Sequence, residues 1–399
     1  MKKKTKKIKT KYSLGIRILK FIVFFFVRFH LHYKIKNKYK AEKNEKLFIL
    51  SNHQTDYDPI VCWYHFNKFL YTVGTDNILA KRFLGRILLN LGAVAKRKGI
   101  ADVKMTMRLF EISKGGGSIL LFPEGNRSYA EFQYYIDKDI VKLIKKFGHT
   151  LVLLNIHGGF GRYPRFANKP RHGKFFGEIK KVLKPEEYLK MSDDELYELI
   201  KDNLRVFDYE SGELYKSNKK AEYLERMFFV CPKCHKMQLI ESRGNKVYCR
   251  NCGFEAKYNE DLSLTTNDKN IKFTRLVEWY DFQKKFVKDY KINDEFIFVD
   301  KECSLSLTNP RSGKPLLEMG ELLCLDKDIL KIGRHLFDIK KIKIASPMSK
   351  RKLLFTYEND NYEIKGNERF NALKYVLMFN KLDTEMHRDN IDKYYTLEN

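Results

Sequence analysis

The stretch Ser51-Asn52-His53-Gln54-Thr55-Asp56-Tyr57-Asp58-Pro59-Ile60 sets an imidazole beside two carboxylates, directly after a short apolar run from Leu47 to Leu50. Histidine titrates near neutrality, so it can take a proton from a hydroxyl and give it back. A carboxylate on the other ring nitrogen fixes the tautomer and stabilises the imidazolium. Asp56 and Asp58 are both candidates for that carboxylate. On a regular helix His53 and Asp58 would point about 140° apart, so they meet only if the residues between them form a turn. A strand-to-helix loop supplies one, with Asp58 as N-cap and Pro59 at the first helical position. Taken alone, these residues equally describe a surface loop whose Asp58 only caps a helix. A base of this kind activates a hydroxyl directly and needs no Ser or Cys nucleophile, so Cys62 reads as an ordinary helix residue.

A second stretch changes the balance. In Phe122-Pro123-Glu124-Gly125-Asn126-Arg127-Ser128, Pro123 ends an apolar strand and Gly125 permits a tight turn. The N–H groups that follow, the Arg127 guanidinium and the Ser128 hydroxyl can converge on a phosphate; the plainer reading is a structural turn with a surface Arg. The pattern His-x4-Asp arises often by chance, whereas Phe-Pro-Glu-Gly-x-Arg-Ser is specific. In this order and spacing the two resemble the glycerolipid acyltransferase family, which acylates lysophosphatidic acid and related lysophospholipids. The resemblance runs from about residue 20 to about residue 210. It implies an α/β sheet with an N-terminal membrane-associating helical segment. It implies His53 as general base with Asp58, rather than Asp56, orienting it. Glu124 and Gly125 would shape the acceptor site, with Ser128 beside them, and Arg127 would bind the acceptor phosphate. The family's second motif is matched by Gly85 to Gly99, where Arg97 is nearest to the motif's Arg and Lys96 or Lys98 could substitute. The fourth motif is matched only loosely by Thr150 to Gly159, where His157 reads as structural and Arg162 and Arg165 follow. Thr75 stands where the family often has a phosphate-binding Lys, and Lys81 follows six residues on. This departure leaves the acceptor open.

A third constellation is independent of the first two. Cys231-x2-Cys234 and Cys249-x2-Cys252, with fourteen residues between the pairs, have zinc-ribbon spacing. Two such knuckles present four thiolates tetrahedrally to one Zn²⁺ in a closed, structural site. A redox dithiol would not need two pairs, and His235 reads as a bystander.

The surrounding chain must position these groups. It has 399 residues, 43% of them hydrophobic, enough for several packed cores. Short apolar runs alternating with helical patterns over residues 41–185 predict an α/β layer with a largely parallel sheet. Ser192 to Glu195 is a capping-box pattern opening a helix near 193–206, and charged helical sequence is expected to continue to about Arg226. From Phe296 the pattern becomes successive strands closed by one C-terminal helix, similar to a pleckstrin-homology-like barrel. The domains expected are a basic tail and interfacial helix (1–40), the acyltransferase domain (41–226), a zinc ribbon (227–260), and a linker helix with a C-terminal β-rich domain (261–399).

The net charge of +27 calls for an anionic partner: nucleic acid, a membrane surface or a phosphorylated substrate. The first forty residues hold fourteen Lys and Arg and no acid, beside the Phe-rich stretch Phe21 to Val27. That stretch is far short of the roughly 20 apolar residues of a span. It predicts an interfacial helix lying in an anionic leaflet, hence a peripheral or monotopic protein on the cytoplasmic face, and it argues against nucleic acid. Seven Cys without a signal peptide suggest a reducing compartment. The expected activity is transfer of a fatty acyl group from acyl-CoA or acyl carrier protein to a lysophospholipid hydroxyl. The alternative is a nucleic-acid- or membrane-binding zinc-ribbon protein with a degenerate acyltransferase fold.

Overall fold

The structure is a computed structural model that describes residues 8–10, 13–75, 82–96, 103–292, 298–308 and 316–386. Its first layer is a seven-stranded sheet built from β1 (Lys34–Ile35), β2 (Leu47–Ser51), β3 (Leu70–Thr75), β4 (Ala93–Lys96), β5 (Ser118–Leu121), β6 (Thr150–His157) and β7 (Phe176–Leu183). The spatial order is β1-β7-β6-β2-β5-β3-β4. All neighbours run parallel except β6 and β7. The central strand β2 is apolar and fully buried because helices cover both faces of such a sheet.

The helices that cover it show their packing faces in sequence. Helix α1 spans Leu14–Phe25 and α2 Asp58–Tyr64, burying Val61, Cys62 and Trp63. Helix α3 spans Arg82–Asn90, and α4, Val103–Lys114, buries Leu109 and Ile112. Helix α5 (Asp139–Phe147) buries Val141, Ile144 and Phe147 at three-residue spacing and ends at Gly148, whose left-handed φ of +59° favours glycine. Each fully buried side chain of this kind contributes about 1.5–3 kcal/mol. Helix α6 is the short turn Gly159–Arg162, and α7 is Asp193–Leu204. The predicted capping box opens α7: Glu195 N–H donates to Ser192 Oγ at 3.2 Å, and Ser192 N–H donates to Glu195 Oε2 at 2.7 Å.

Helix does not continue to Arg226. Residues 205–226 are irregular apart from two single 3-10 turns, Asp208–Glu210 and Leu224–Arg226. The charge pattern there misleads because Ser211-Gly212 breaks the helix and the backbone bonds elsewhere. Tyr215 N–H donates to Glu260, and Lys216 pairs with His172.

A four-stranded antiparallel sheet follows: β8 (Ile240–Arg243), β9 (Lys246–Cys249), β10 (Glu255–Tyr258) and β11 (Leu264–Thr266). Helix α8 (Leu276–Asp289) braces it. Trp279 stacks on Phe228 at 4.2 Å, and Gln283 Oε1 accepts from the N–H groups of Phe229 and Val230.

The C-terminal sheet is antiparallel throughout. It comprises β12 (Phe298–Thr308), β13 (Leu316–Leu325), β14 (Ile329–Ile332), β15 (His335–Asp338), β16 (Ile342–Met348), β17 (Lys352–Tyr357) and β18 (Asp360–Lys365), in the order β15-β14-β13-β12-β18-β17-β16. The two apolar runs around Val299 and Leu305 form one strand with irregular register. Helix α9 (Ala372–Met386) packs on β16 and β17.

Two apolar cores result. One lies under the parallel sheet. The other joins the loop around Tyr129 to Tyr134, the Cys-paired sheet, α8 and the C-terminal sheet without interruption. Helix α1 presents Leu14, Ile18, Phe21, Ile22 and Phe25 outward, and Phe29 follows in the π-helical turn Phe26–His30, every one exposed, while Ile16 and, in that turn, Val27 are buried. This stripe of exposed apolar side chains at helical spacing inverts the pattern of an ordinary surface helix. No helix among the described residues is long and apolar enough to cross a membrane.

Candidate active site

Strands β2 and β5 are parallel neighbours, with Leu50 opposite Leu121. Their C-terminal ends therefore release the segments at His53 and at Phe122 side by side, at the strand ends where open α/β sheets place their sites. Ser128 N–H donates to the His53 carbonyl at 3.2 Å, and the His53 ring stacks on Phe122 at 4.4 Å.

The residues between His53 and Asp58 form a turn, not a helix. His53 Nδ1 lies 2.8 Å from Asp58 Oδ2. The same oxygen accepts from the N–H groups of Gln54 at 2.6 Å and Thr55 at 2.8 Å, and Oδ1 accepts from the Thr55 hydroxyl. Asp58 is fully buried while 19% of the His53 side chain is exposed, so the imidazole turns its Nε2 edge away from the carboxylate. Asp58 is the first residue of α2, not its N-cap, because its carboxylate folds back over the loop that precedes the helix. Asp56, the other acid of the stretch, is exposed and pairs with Arg127 Nη1 at 2.8 Å.

In the second loop Glu124 is buried, and its two oxygens accept from His53 N–H and Tyr134 N–H, each at 3.1 Å. Burial pushes its carboxyl up to about 8, with the Asp58 charge acting the same way and the two backbone donors opposing. Glu124 thus ties one loop to the other. Gly125 turns with φ +67° and its N–H bonds the Phe122 carbonyl at 3.0 Å. The Ser128 hydroxyl accepts from Phe132 N–H at 3.0 Å, which holds the end of the loop. The Arg127 guanidinium is largely buried and desolvated, and the neighbouring Arg165 charge adds to the downward pull on its pKa, against Asp56.

Several supporting residues carry no sequence signal of their own. Asn52 bonds both the N–H and the carbonyl of Ile156 on β6, at 2.8 and 2.9 Å. Gln54 Oε1 accepts from Phe160 N–H. Asp208 caps α6 through the N–H groups of Gly158 at 2.7 Å and Gly161 at 2.8 Å; burial raises its carboxyl to about 6 against those donors. Glu131 is buried beside it and accepts from Asp208 N–H and Tyr209 N–H, and burial, then the Asp208 charge, holds its carboxyl well above the usual range. His157 stacks on Phe176 at 4.7 Å in a structural setting. Cys62 is fully buried and its thiol is pushed far up by burial and then by Asp58. Arg97, Lys98 and Lys81 lie outside the described residues. Thr75 ends β3.

The sulfurs of Cys231, Cys234, Cys249 and Cys252 all lie within 4.8 Å of one another. Cys231 and Cys252 are 3.5 Å apart and Cys234 and Cys249 3.8 Å. A disulfide is about 2.05 Å, whereas the edge of a tetrahedron with Zn–S near 2.3 Å is about 3.8 Å. The residue after each Cys pair turns left-handed, His235 at φ +59° and Gly253 at φ +67°, so the two knuckles share one backbone form. His235 packs against Phe282 and Phe286, away from the sulfurs.

Residues 32–157, which fall in the parallel-sheet domain, match the sequence model of the Acyltransferase family. Among solved structures the chain is similar to the 1-acyl-sn-glycerophosphate (LPA) acyltransferase PlsC of Thermotoga maritima, at 17% identity over 49% of this chain and 81% of that one, with a TM-score of 0.41. It is also similar to the N-terminal PH domain of human ARAP2, at 4% identity over 28% of this chain and 98% of that one, with a TM-score of 0.22. No curated protein matches the chain.

Proposed function

We propose that the protein transfers a fatty acyl group from a thioester donor, acyl-CoA or acyl carrier protein, to the hydroxyl of a lysophospholipid such as lysophosphatidic acid. The observation that carries this reading is the His53 imidazole held at 2.8 Å by the fully buried Asp58 carboxylate, in a domain that matches the sequence model of the Acyltransferase family. Nε2 takes the proton of the acceptor hydroxyl as its oxygen attacks the thioester carbonyl carbon. The tetrahedral intermediate collapses, the C–S bond breaks, and the imidazolium returns the proton to the departing thiolate. Asp58 stabilises the imidazolium in between. Arg127 binds the acceptor phosphate, displacing or sharing Asp56, on a loop whose shape Glu124, Gly125 and Ser128 maintain. The exposed Phe-rich face of α1, with Arg17 and Arg28 on the same helical segment, lies in an anionic membrane surface, where long basic side chains reach the headgroups, while Lys20 turns inward onto the Phe66 carbonyl at 2.7 Å.

The Cys-paired sheet holds one structural Zn²⁺ on Cys231, Cys234, Cys249 and Cys252. All four positions are filled by protein, so the ion stabilises the fold and takes no part in acyl transfer. The decisive test is an acyl-transfer assay on purified protein, offering lysophosphatidic acid and neutral or headgroup-bearing lysolipids with both donors. Product from lysophosphatidic acid is expected. No transfer to any lysolipid from either donor would overturn the reading.

A further inference from the structure

The C-terminal sheet lies outside the acyltransferase match, yet it reaches the candidate site. The turn between β16 and β17, Ser349 to Arg351, meets the Arg127 loop through Arg165. This buried guanidinium donates to the Pro347 carbonyl at 2.8 Å, the Ser349 carbonyl at 3.3 Å and the Arg127 carbonyl at 3.3 Å, and lies over the Tyr129 ring at 3.9 Å. A second buried arginine fixes the same interface: Arg226 donates to the carbonyls of Phe166 and Glu368 and to the Asn168 side chain. Ser349 is left-handed at φ +55°, which makes the turn tight. Lys350 stands at its tip, exposed, with no hydrogen-bond or ion-pair partner among the described residues. Arg226 and Arg351 beside it are both engaged by Glu368, at 3.1 and 2.7 Å.

The charge balance among the described residues shows what Arg165 and this turn add. Arg127 and Asp56 form an ion pair of no net charge. A phosphomonoester carries about −1.5 to −2 at pH 7. Arg165 and Lys350 restore two net positive charges around that pair. Thr75, on β3, stands where the resemblance leads one to expect a phosphate-binding Lys.

We propose that Lys350 is part of the acceptor-phosphate subsite, so that the C-terminal sheet adds a cation beside Arg127, with Arg165 as the positioning residue. The proposal rests on the reading of the site as a transferase for a phosphate-bearing acceptor. Lys350 is crowded enough for desolvation to lower its pKa, with the Arg226 charge next, the Asp56 charge opposing and Arg127 acting with Arg226, which places it in the field of both members of the Arg127–Asp56 pair.

The test uses the full chain with Lys350→Gln and Lys350→Arg. Lysophosphatidic acid and a monoacylglycerol of the same chain length are compared as acceptors, and binding of a short-chain lysophosphatidic acid is measured by calorimetry. One charge-assisted contact corresponds to about a tenfold change. Lys350→Gln should raise KM for lysophosphatidic acid about tenfold with kcat little changed, weaken its binding by the same factor, and shift monoacylglycerol transfer far less. Lys350→Arg should restore most of the loss. Equal losses with both acceptors, or none with either, overturn the proposal. If the wild type transfers no acyl group, the acyltransferase reading fails, and calorimetry still decides on Lys350. Binding that Lys350→Gln leaves unchanged, or no binding by the wild type, overturns the proposal on its own.

Discussion

Asp58→Asn separates charge from geometry at the candidate base. Asp58 Oδ2 accepts three N–H bonds and Oδ1 one O–H bond, from the Thr55 hydroxyl. An asparagine can keep its carbonyl oxygen at the three-donor position. Its NH2 then faces Thr55 Oγ1, a hydroxyl that can turn and accept. The three N–H bonds survive, the Thr55 hydroxyl reverses from donor to acceptor, and the carboxylate charge is lost. The fold should hold, with Tm within a few degrees of wild type. The cost falls on the imidazolium. A charged partner strengthens a hydrogen bond by about 1 kcal/mol over a neutral one. At the upper limit, two unit charges about 4 Å apart at an effective dielectric near 20 attract by about 4 kcal/mol. With about 1.4 kcal/mol per tenfold, kcat should fall between about fivefold and a thousandfold while KM changes little. Steady-state acyl transfer, with circular dichroism and thermal melting alongside, measures both quantities. A folded Asp58→Asn protein with wild-type kcat would refute the idea that Asp58 stabilises a charged His53. Asp58→Ala is the contrasting case: it strands the buried N–H groups of Gln54 and Thr55, each costing about 1–3 kcal/mol, so it should lose stability as well.

Arg127→Ala should lower kcat/KM for lysophosphatidic acid by about ten- to a hundredfold, one charge-assisted contact or slightly more, and affect a phosphate-free acceptor much less; equal losses would mean that Arg127 only holds the loop. Glu124, raised to about 8, keeps its proton in the folded state over a range where the unfolded chain, titrating near 4.5, has released it. This group's contribution therefore falls as pH rises from about 4.5 to about 8 and is level above that. Glu124→Gln, which cannot titrate and leaves one backbone donor poorly paired, should melt lower at pH 5 and lose less Tm between pH 5 and 8; a parallel wild-type profile would rule out Glu124 as the titrating group. Elemental analysis should find one zinc per chain, absent when Cys231 and Cys249 are both Ser, with a drop in Tm; a folded, metal-free wild type would sink the zinc assignment. Changing Phe21, Phe25 and Phe29 together to Ser removes three exposed rings, each worth about 1.5–3 kcal/mol when buried, so sedimentation with anionic vesicles should weaken at least a hundredfold; unchanged binding would locate the membrane contact elsewhere.

Much of this protein is legible in its residues because the relevant physics is local. The apolar run from Leu47 to Leu50 marks β2. Ser192 and Glu195 announce a helix start, because a capping box needs only residues three apart. The spacing of Cys231, Cys234, Cys249 and Cys252 announces four converging sulfurs, because each knuckle closes over two intervening residues. The turn from His53 to Asp58 follows from Pro59 and from the angle a helix would impose. Charge alone misled at residues 205–226, where a helical pattern gives way to backbone bonds with distant segments such as Glu260 and His172.

What tertiary structure decided is how distant loops meet. Which of Asp56 and Asp58 faces His53 is settled only when Arg127 arrives and takes Asp56, which depends on β2 and β5 being adjacent in the sheet. Glu124, an acceptor-site candidate by its motif, also ties the two loops together, because its carboxyl is buried against His53 N–H and Tyr134 N–H. Glu131, Asp208 and Arg165 carry no motif, since an isolated charge in sequence looks the same whether solvated or buried. Their roles come from desolvation and from contacts between segments far apart in the chain. Such contacts are a property of strand order and domain docking, which short-range spacing does not encode.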